Sequence, residues 1–370
     1  MPRLLYVTTS FENGAIPNIL TDIAPILVQG GWSLQVLTLE AVPENNASVQ
    51  KWRALGLPLE GLNRGSRETW QVLGPLSSAI VRLKPDLIHS HLGRADVYTA
   101  MVKGAIPQIS TFHSVRRNAN KVTQWGWRLT DRRVAHRTGV SQACLDSFYP
   151  QMLRSPHSVI YNPVNPKRLT LQQTPAQFKA ELGWMPEVRL IVAVGRLLLV
   201  KGHAQLIDAF ALIASEQLDV NLVIVGDGPL RSELQTKVNT LELSDRVRLL
   251  PGNTPVATVY TAADVLSFPS LWEGLGLVPI EAMLCGCPVA SSRIPAVSEF
   301  MDEGQTGLFF DPENAVDQAR VLLEVLANPV VANQRAERAS QMARERFSPE
   351  LIGNQYLKLY NNILREGHDE

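Results

Sequence analysis

The stretch that decides the fold runs from Arg189 to Ala214 and reads RLIVAV, GRLLLVKGH, AQLIDAFALIA. A short apolar run, RLIVAV, leads into a loop holding Gly195, Arg196, Lys201, Gly202 and His203, and then into a segment with helical apolar spacing. A run that is apolar on both faces suits a strand covered on both sides, and a helix directly after it is half of a parallel βαβ unit. The pattern recurs downstream in NLVIVG, VRLL, VLSF, PVASS and TGLFF, with helical stretches between. An earlier series, RLLYVTT, SLQVLTL, PDLIH, QISTF, RTGVS and HSVIY, does the same in the first half. Two such series predict an α/β chain of two doubly wound domains.

Proline marks the seam. Pro150, Pro156, Pro163, Pro166, Pro175 and Pro186 crowd a region where no long helix persists, which places the linker near 163–175. The predicted domains are 1–165 and 166–349. Pro329 and Pro349 divide the tail after TGLFFDP into three helices.

Composition agrees with this division. A chain of 370 residues exceeds one ordinary α/β domain, and 45% apolar with 19% charged residues excludes wholesale disorder. RLIVAVGRLLLVK is interrupted by Arg196, short of the roughly 18 residues of a membrane span. The opening MPRLLYVTTSFEN has too short an apolar run for a signal-peptide core. Cys144, Cys285 and Cys287 are too few for a disulfide framework, and Cys285-Gly286-Cys287 lacks further zinc ligands. These features predict a cytoplasmic protein. Net charge is zero, but residues 1–165 carry 17 basic against 10 acidic side chains, and 166–370 carry 18 against 25. A basic half joined to an acidic one suggests that one domain meets an anionic partner.

In open parallel sheets, ligands bind where loops leave the carboxyl ends of strands. Two cations and two glycines after RLIVAV, at a helix N-terminus, suit a phosphate. The Walker pattern is absent. NLVIVG runs into Asp227-Gly228-Pro229, with Pro229 expected in the next helix's first turn. In FPSLWEGLGLVPIEAMLCGCPVASS, Glu273 opens a loop with Gly274 and Gly276. Pro279 is expected to start a helix, which would put Glu281 in its first turn and let Gly286 end it. A carboxylate pair also raises a glycosidase as an alternative. In the first half, Gly14 precedes a helix and is placed for close backbone approach, and His113 follows QISTF, with His89 and His91 as competitors. Arg116, Arg117, Lys121, Arg128, Arg132, Arg133 and Arg137, interleaved with Trp125 and Trp127, suit an anionic lipid surface or a phosphate-bearing acceptor. Nucleic acid is compatible with the same charge pattern.

VGRLLLVKGHAQLIDAFA, VGDGPLRSEL, TAADVLSFPS, EGLGLVPIEAMLCGCPV and TGLFFDP, in that order, resemble the C-terminal half of glycosyltransferase family 4. PDLIHSH, ISTFHS and GVSQ resemble its N-terminal half more loosely. The resemblance implies a GT-B fold, with two facing Rossmann-like domains and a deep cleft between them. It implies acceptor binding by 1–165, nucleotide-sugar binding by 166–349, and a last helix, 350–370, packed back on the first domain. It assigns Arg196 and Lys201 to the donor diphosphate, Glu273 to the donor sugar and Glu281 to the ribose hydroxyls. Backbone amides at Gly276, Leu277 and Val278, with Gly14, would meet the phosphates or sugar. His113 would lie near the transferred sugar, and Asn253 near the base. The catalytic set is then His113, Glu273, Arg196 and Lys201, and Arg116, Arg117, Lys121 and Arg128 form an acceptor or membrane surface. IYNPVN departs from the family's usual Asn-Gly-Val-Asp, and the N-terminal loop has one glycine where relatives often have two.

The implied activity is retaining transfer of a hexose or N-acetylhexosamine from UDP-sugar first, or GDP-sugar second, to a lipid-linked or surface glycan. It needs no metal and no further cofactor, and no nucleic acid partner. The implied location is the inner face of the cytoplasmic membrane. A sugar-nucleotide 2-epimerase and a non-catalytic nucleotide-sugar binder are the alternatives.

Overall fold

A computed structural model describes residues 1–12, 14–65, 70–216 and 219–366. Asn13 of the N-terminal loop and the last four residues of the predicted final helix lie outside these. The chain forms two units, Met1–Pro163 with Phe347–Glu370, and Val164–Arg346. The boundaries drawn from sequence, 165/166 and 349/350, fall two and three residues further along.

In the first unit the chain runs β1 (Arg3–Thr8), α1 (Ala15–Gln29), β2 (Ser33–Thr38), α2 (Ala47–Ala54), β3 (Leu59–Gly61), α3 (Leu73–Leu83) and β4 (Leu87–His91). It continues through α4 (Gly93–Val102), β5 (Gln108–Phe112), α5 (Lys121–Thr130), β6 (His136–Gly139), α6 (Gln142–Asp146) and β7 (His157–Val159). The sheet is parallel, in the order β3-β2-β1-β4-β5-β6-β7. Strand order therefore reverses between β1 and β4. The inner strands β1, β4 and β5 are almost wholly buried, and β4 and β5 carry polar side chains such as His89 and Gln108 inside. β3 is an edge strand that sequence reading misses, because Leu-Glu-Gly has neither length nor β-branching.

The second unit begins with α7 (Pro175–Glu181), which Thr174 and Gln177 start with a reciprocal capping box. It proceeds through β8 (Arg189–Val194), α8 (His203–Ser215), β9 (Val220–Val225), α9 (Arg231–Thr240), β10 (Val247–Leu250) and α10 (Val256–Ala262). Then follow β11 (Val265–Phe268), α11 (Leu277–Leu284), β12 (Val289–Ser292), α12 (Pro295–Ser298), β13 (Leu308–Phe310), α13 (Ala315–Ala327) and α14 (Pro329–Arg346). This sheet is also parallel, in the order β10-β9-β8-β11-β12-β13. Its reversal falls between β8 and β11. Buried Ile191, Leu222 and Ile224 of the sheet meet Leu206 and Phe210 of α8 and Leu322 of α13 in one core.

The last helix, α15 (Pro349–Glu366), belongs to the first unit. Ile352, Tyr356, Tyr360 and Ile363 recur at helical spacing and are buried with Leu20, Ile23 and Leu27 of α1. Gly353 permits this approach, since a Cβ there would stand 2.9 Å from Ile26 Cβ.

Three local expectations change. α11 starts at Leu277, so Pro279 is its third residue and Glu281 lies in the second turn, while Gly286 does follow the helix end with φ +73°. α9 starts at Arg231, which leaves Pro229 in the preceding turn. The basic segment is not one amphipathic surface: Arg137 and Trp127 are buried, as described below.

Candidate functional site

In the second unit, the loops after β8 and β11 flank the point where strand order reverses, the usual ligand crevice of an open parallel sheet. Gly202 locks them together. It sits at φ +65°, and a Cβ there would lie 2.1 Å from the Pro269 carbonyl oxygen, so only glycine fits. Leu271 N–H donates to Val200 O at 2.8 Å, closing the same junction. Held this way, the Lys201 ammonium forms an ion pair with the Glu273 carboxylate, and lies 5.9 Å from the Phe268 ring centroid. Spacing alone gave no sign that these two would meet.

Two helices begin here. Gly202 precedes α8 and Gly276, at φ +96°, precedes α11, and neither helix has a side-chain cap. Their first amides, including those of Leu277 and Val278, carry the positive end of the helix dipole. Arg196 is exposed in the loop after β8. His203 is buried at the start of α8, its imidazole pushed down to about 4 by burial and by the Lys201 charge. A diphosphate would find one exposed cation, one partly masked cation and two helix N-termini in this crevice.

Glu281 stands one turn into α11. The Tyr260 hydroxyl of α10 donates to its carboxylate at 3.1 Å. Burial pushes the carboxyl up to about 7, against that hydroxyl and the Arg168 charge. Neither Tyr260 nor Arg168 was singled out from sequence, because nothing local links them to Glu281. Asn253 is exposed in the loop after β10, beside a cavity of about 430 Å³ also lined by Leu250 and Thr258. β10 is two strands from β8, about 10 Å at ordinary strand spacing.

In the first unit, Gly14 caps α1 in extended backbone (φ 164°), so nothing in the backbone demands glycine there. A Cβ would meet only the Glu12 carbonyl oxygen at 4.0 Å, which leaves room for a ligand at the helix start. His113 Nε2 is 2.9 Å from His91 Nδ1, one of them donating. His89 is fully buried, bonded to the Tyr360 and Thr111 hydroxyls at 2.7 Å each. Burial lowers all three imidazoles, His113 to about 4, so they are neutral at pH 7. His113 is therefore a hydrogen-bonding group rather than a cation.

A cavity of about 310 Å³ lies beside His113, bounded by Arg94, Asp96, Asn118, Asn120 and Trp127. Burial raises the Asp96 carboxyl to about 7 against the Ser90, Ser110 and Trp127 donors and the Arg137 charge. The basic segment divides around this cavity. Arg116 is half-buried, whereas Arg117, Lys121, Arg128, Arg132 and Arg133 are exposed. Arg137 is fully buried and bonded to Asp131 at 3.2 Å, and Trp127 is buried with its indole N–H 3.3 Å from Asp96. The charge pattern grouped both with an amphipathic basic surface, and the alternative was a solvated basic helix with its Trp residues packed on the core. β6 lies inside the sheet between β5 and β7, which explains the burial of Arg137, and packing between α4 and α5 explains that of Trp127.

Among the described residues, no group of three or more His, Cys, Asp or Glu side chains is placed to hold a metal ion. No helix among them is long and apolar enough to cross a membrane.

Two family descriptions match the chain: "Glycosyl transferases group 1" over residues 176–346 and "Glycosyltransferase Family 4" over residues 17–168. N-acetyl-alpha-D-glucosaminyl L-malate synthase of Bacillus anthracis is 29% identical over 207 residues, 56% of this chain and 54% of that protein. This chain thus matches about half the length of that relative. 2-Deoxystreptamine glucosyltransferase of Streptomyces kanamyceticus is 30% identical over 284 residues, 73% of this chain and 69% of that one. Among solved structures, HepE of Anabaena in complex with UDP and glucose superposes with a TM-score of 0.85 at 21% identity. The superposition covers 98% of this chain and 100% of that one.

Proposed function

The chain belongs to glycosyltransferase family 4, with the paired Rossmann-like domains of the GT-B class, and on that premise we propose that it is a retaining, metal-independent hexosyltransferase. It moves a hexose or N-acetylhexosamine from a nucleotide sugar to a hydroxylated acceptor. The observation that carries this reading is the Lys201–Glu273 pair at the sheet's reversal point, between two uncapped helix N-termini. Such a crevice is charged to receive a diphosphate and to favour it more as the leaving-group charge grows.

Transfer breaks the bond between the anomeric carbon and the diphosphate oxygen. The acceptor oxygen bonds to the same face, and its proton passes to the departing phosphate. Lys201, Arg196 and the amides of Gly276, Leu277 and Val278 hold the developing negative charge. Glu273 steadies the donor sugar, where positive character develops. His113, held neutral, bonds a sugar hydroxyl, and Glu281 accepts from the ribose hydroxyls. No side-chain nucleophile is required.

UDP-sugar is the first assignment for the donor. A structural neighbour was solved with UDP and glucose, and two relatives are named for glucosyl and N-acetylglucosaminyl products. GDP-sugar is the second. For the acceptor we propose a lipid-linked or surface glycan, used at the inner face of the cytoplasmic membrane and reached through the basic first unit. A small soluble acceptor is the second reading, favoured by the malate and 2-deoxystreptamine in those relatives' names. A thermal-shift screen of UDP- and GDP-sugars tests the donor, since a specific ligand stabilises the fold by mass action. Stabilisation by UDP-glucose or UDP-N-acetylglucosamine is expected. No response to any nucleotide sugar overturns the reading.

A further inference from the structure

α5 is tied to the first unit by one face only. Trp127 is 6% exposed, and Gly126 lies so close to Val97 that a Cβ would stand 2.8 Å from its methyl carbons. The outer face carries Val122, Trp125 and Leu129, which are 79%, 65% and 73% exposed. Spacings of three and four put them in one stripe along the helix. Lys121, Arg128 and, in the turn just beyond, Arg132 run beside that stripe, all exposed. The helix itself, KVTQWGWRLT, contains no acidic residue. Three large apolar side chains aligned in water carry a cost that an interface removes. Flanking cations with an indole between them match a helix lying in the headgroup layer of an anionic bilayer.

The inner side of the same helix has a second role. Asn120, Thr123 and Trp127 line the cavity beside His113. We propose that α5 seats the protein on an anionic membrane leaflet, with Val122, Trp125 and Leu129 embedded below the headgroups and the neighbouring cations at lipid phosphates. The helix is then the partition between the bilayer and the His113 cavity, so a lipid-linked acceptor reaches that cavity from the surface on which the protein sits. This rests on the acceptor reading above and adds the side chains that make the contact. It differs from a purely electrostatic attachment, because buried apolar groups hold on when salt screens the charges.

The test is co-sedimentation of the full chain with vesicles of phosphatidylglycerol and phosphatidylcholine, or of phosphatidylcholine alone, at low and high salt. Neither donor nor acceptor is present, so an error in the transferase reading cannot alter the result. Wild type is expected to prefer anionic vesicles about tenfold and to keep a measurable fraction bound at high salt. The double variant Trp125→Ser, Leu129→Ser is expected to lose about tenfold in binding with an unchanged melting temperature, because both side chains are exposed. A second variant, Val122→Asp, places a carboxylate in the stripe and is expected to do the same. Binding by either variant equal to wild type overturns the proposal. So does the absence of vesicle binding by wild type, or its concentration-dependent dimerisation abolished by the same substitutions.

Discussion

The Lys201 ammonium and the Glu273 carboxylate are paired across the reversal point of the second sheet, with side chains only 20% and 16% exposed. A phosphate entering this crevice competes with Glu273 for the same cation. On the proposed mechanism, the carboxylate positions Lys201 before the donor arrives and would turn toward the sugar once it has bound.

Lys201→Ala is expected to lower turnover by about 10²–10³-fold, the usual loss for one preorganised charge on a leaving group. The variant should still melt cooperatively. Near-normal transfer by the folded variant would remove Lys201 from the mechanism. Glu273→Gln keeps the shape and frees the lysine, so nucleotide affinity should hold or tighten while turnover falls about hundredfold. Calorimetric titration together with initial rates separates the two effects, and a variant that loses affinity but keeps its rate reverses the assignment.

Glu281 gives a prediction with a definite sign. Its folded pKa, about 7, lies above the ordinary 4.5, so between these values the folded state holds more protons than the unfolded one. Stability therefore falls as pH rises through that window, by on the order of 1–3 kcal/mol. Glu281→Gln removes the effect, and the variant's melting temperature should gain on wild type as pH goes from 5 to 8. Ribose hydroxyls prefer the ionised carboxylate, so wild-type affinity for UDP-sugar should rise from pH 6 to 8 and be flat in the variant. A melting-temperature difference that does not change with pH would show that Glu281 does not titrate there.

The strands of the second unit were legible because parallel sheets buried on both faces leave continuous apolar runs, as RLIVAV and VLSF largely do. The loops after β8 and β11 were legible for the same reason, since a glycine-rich polar segment between such a run and a helix stands out. Contacts across the sheet were not. Lys201 with Glu273, Tyr260 with Glu281, and His91 with His113 are each set by strand order, which no local pattern encodes. Charge counting failed in one direction only: it registers Arg137 as a cation but cannot see that β6 carries it inside.

In the proposed mechanism the positive charge facing the leaving group comes from Lys201, Arg196 and two helix N-termini, so transfer should survive EDTA. The product should keep the donor's anomeric configuration if, as proposed, the acceptor attacks the face that the leaving group vacates. Proton NMR of the first product formed reads the anomeric coupling directly. An inverted product would contradict the proposed mechanism, and activity restored only by a divalent cation after chelation would contradict the metal-independent part alone.

Arg137 separates structural from surface charge. Its guanidinium is wholly buried, bonded to Asp131 at 3.2 Å and to the Ser110 hydroxyl at 3.1 Å, and it lies 5.2 Å from the Phe112 ring centroid. Burial works to raise the Asp131 carboxyl, but the Arg154 and Ser155 amides, the Ser155 hydroxyl and the Arg137 charge outweigh it and hold the carboxyl below its ordinary range. Removing the arginine leaves a covered carboxylate with only neutral donors. Arg137→Ala is expected to cost about 3–5 kcal/mol in urea unfolding. Arg137→Met, which refills the space, should lose less, since part of the alanine penalty is the cavity. At temperatures where both variants are folded, their binding to anionic vesicles should equal that of wild type, because this charge never reaches the surface. An Arg137→Ala protein as stable as wild type, but with weakened vesicle binding, would return Arg137 to the exposed basic face and overturn its place in the core.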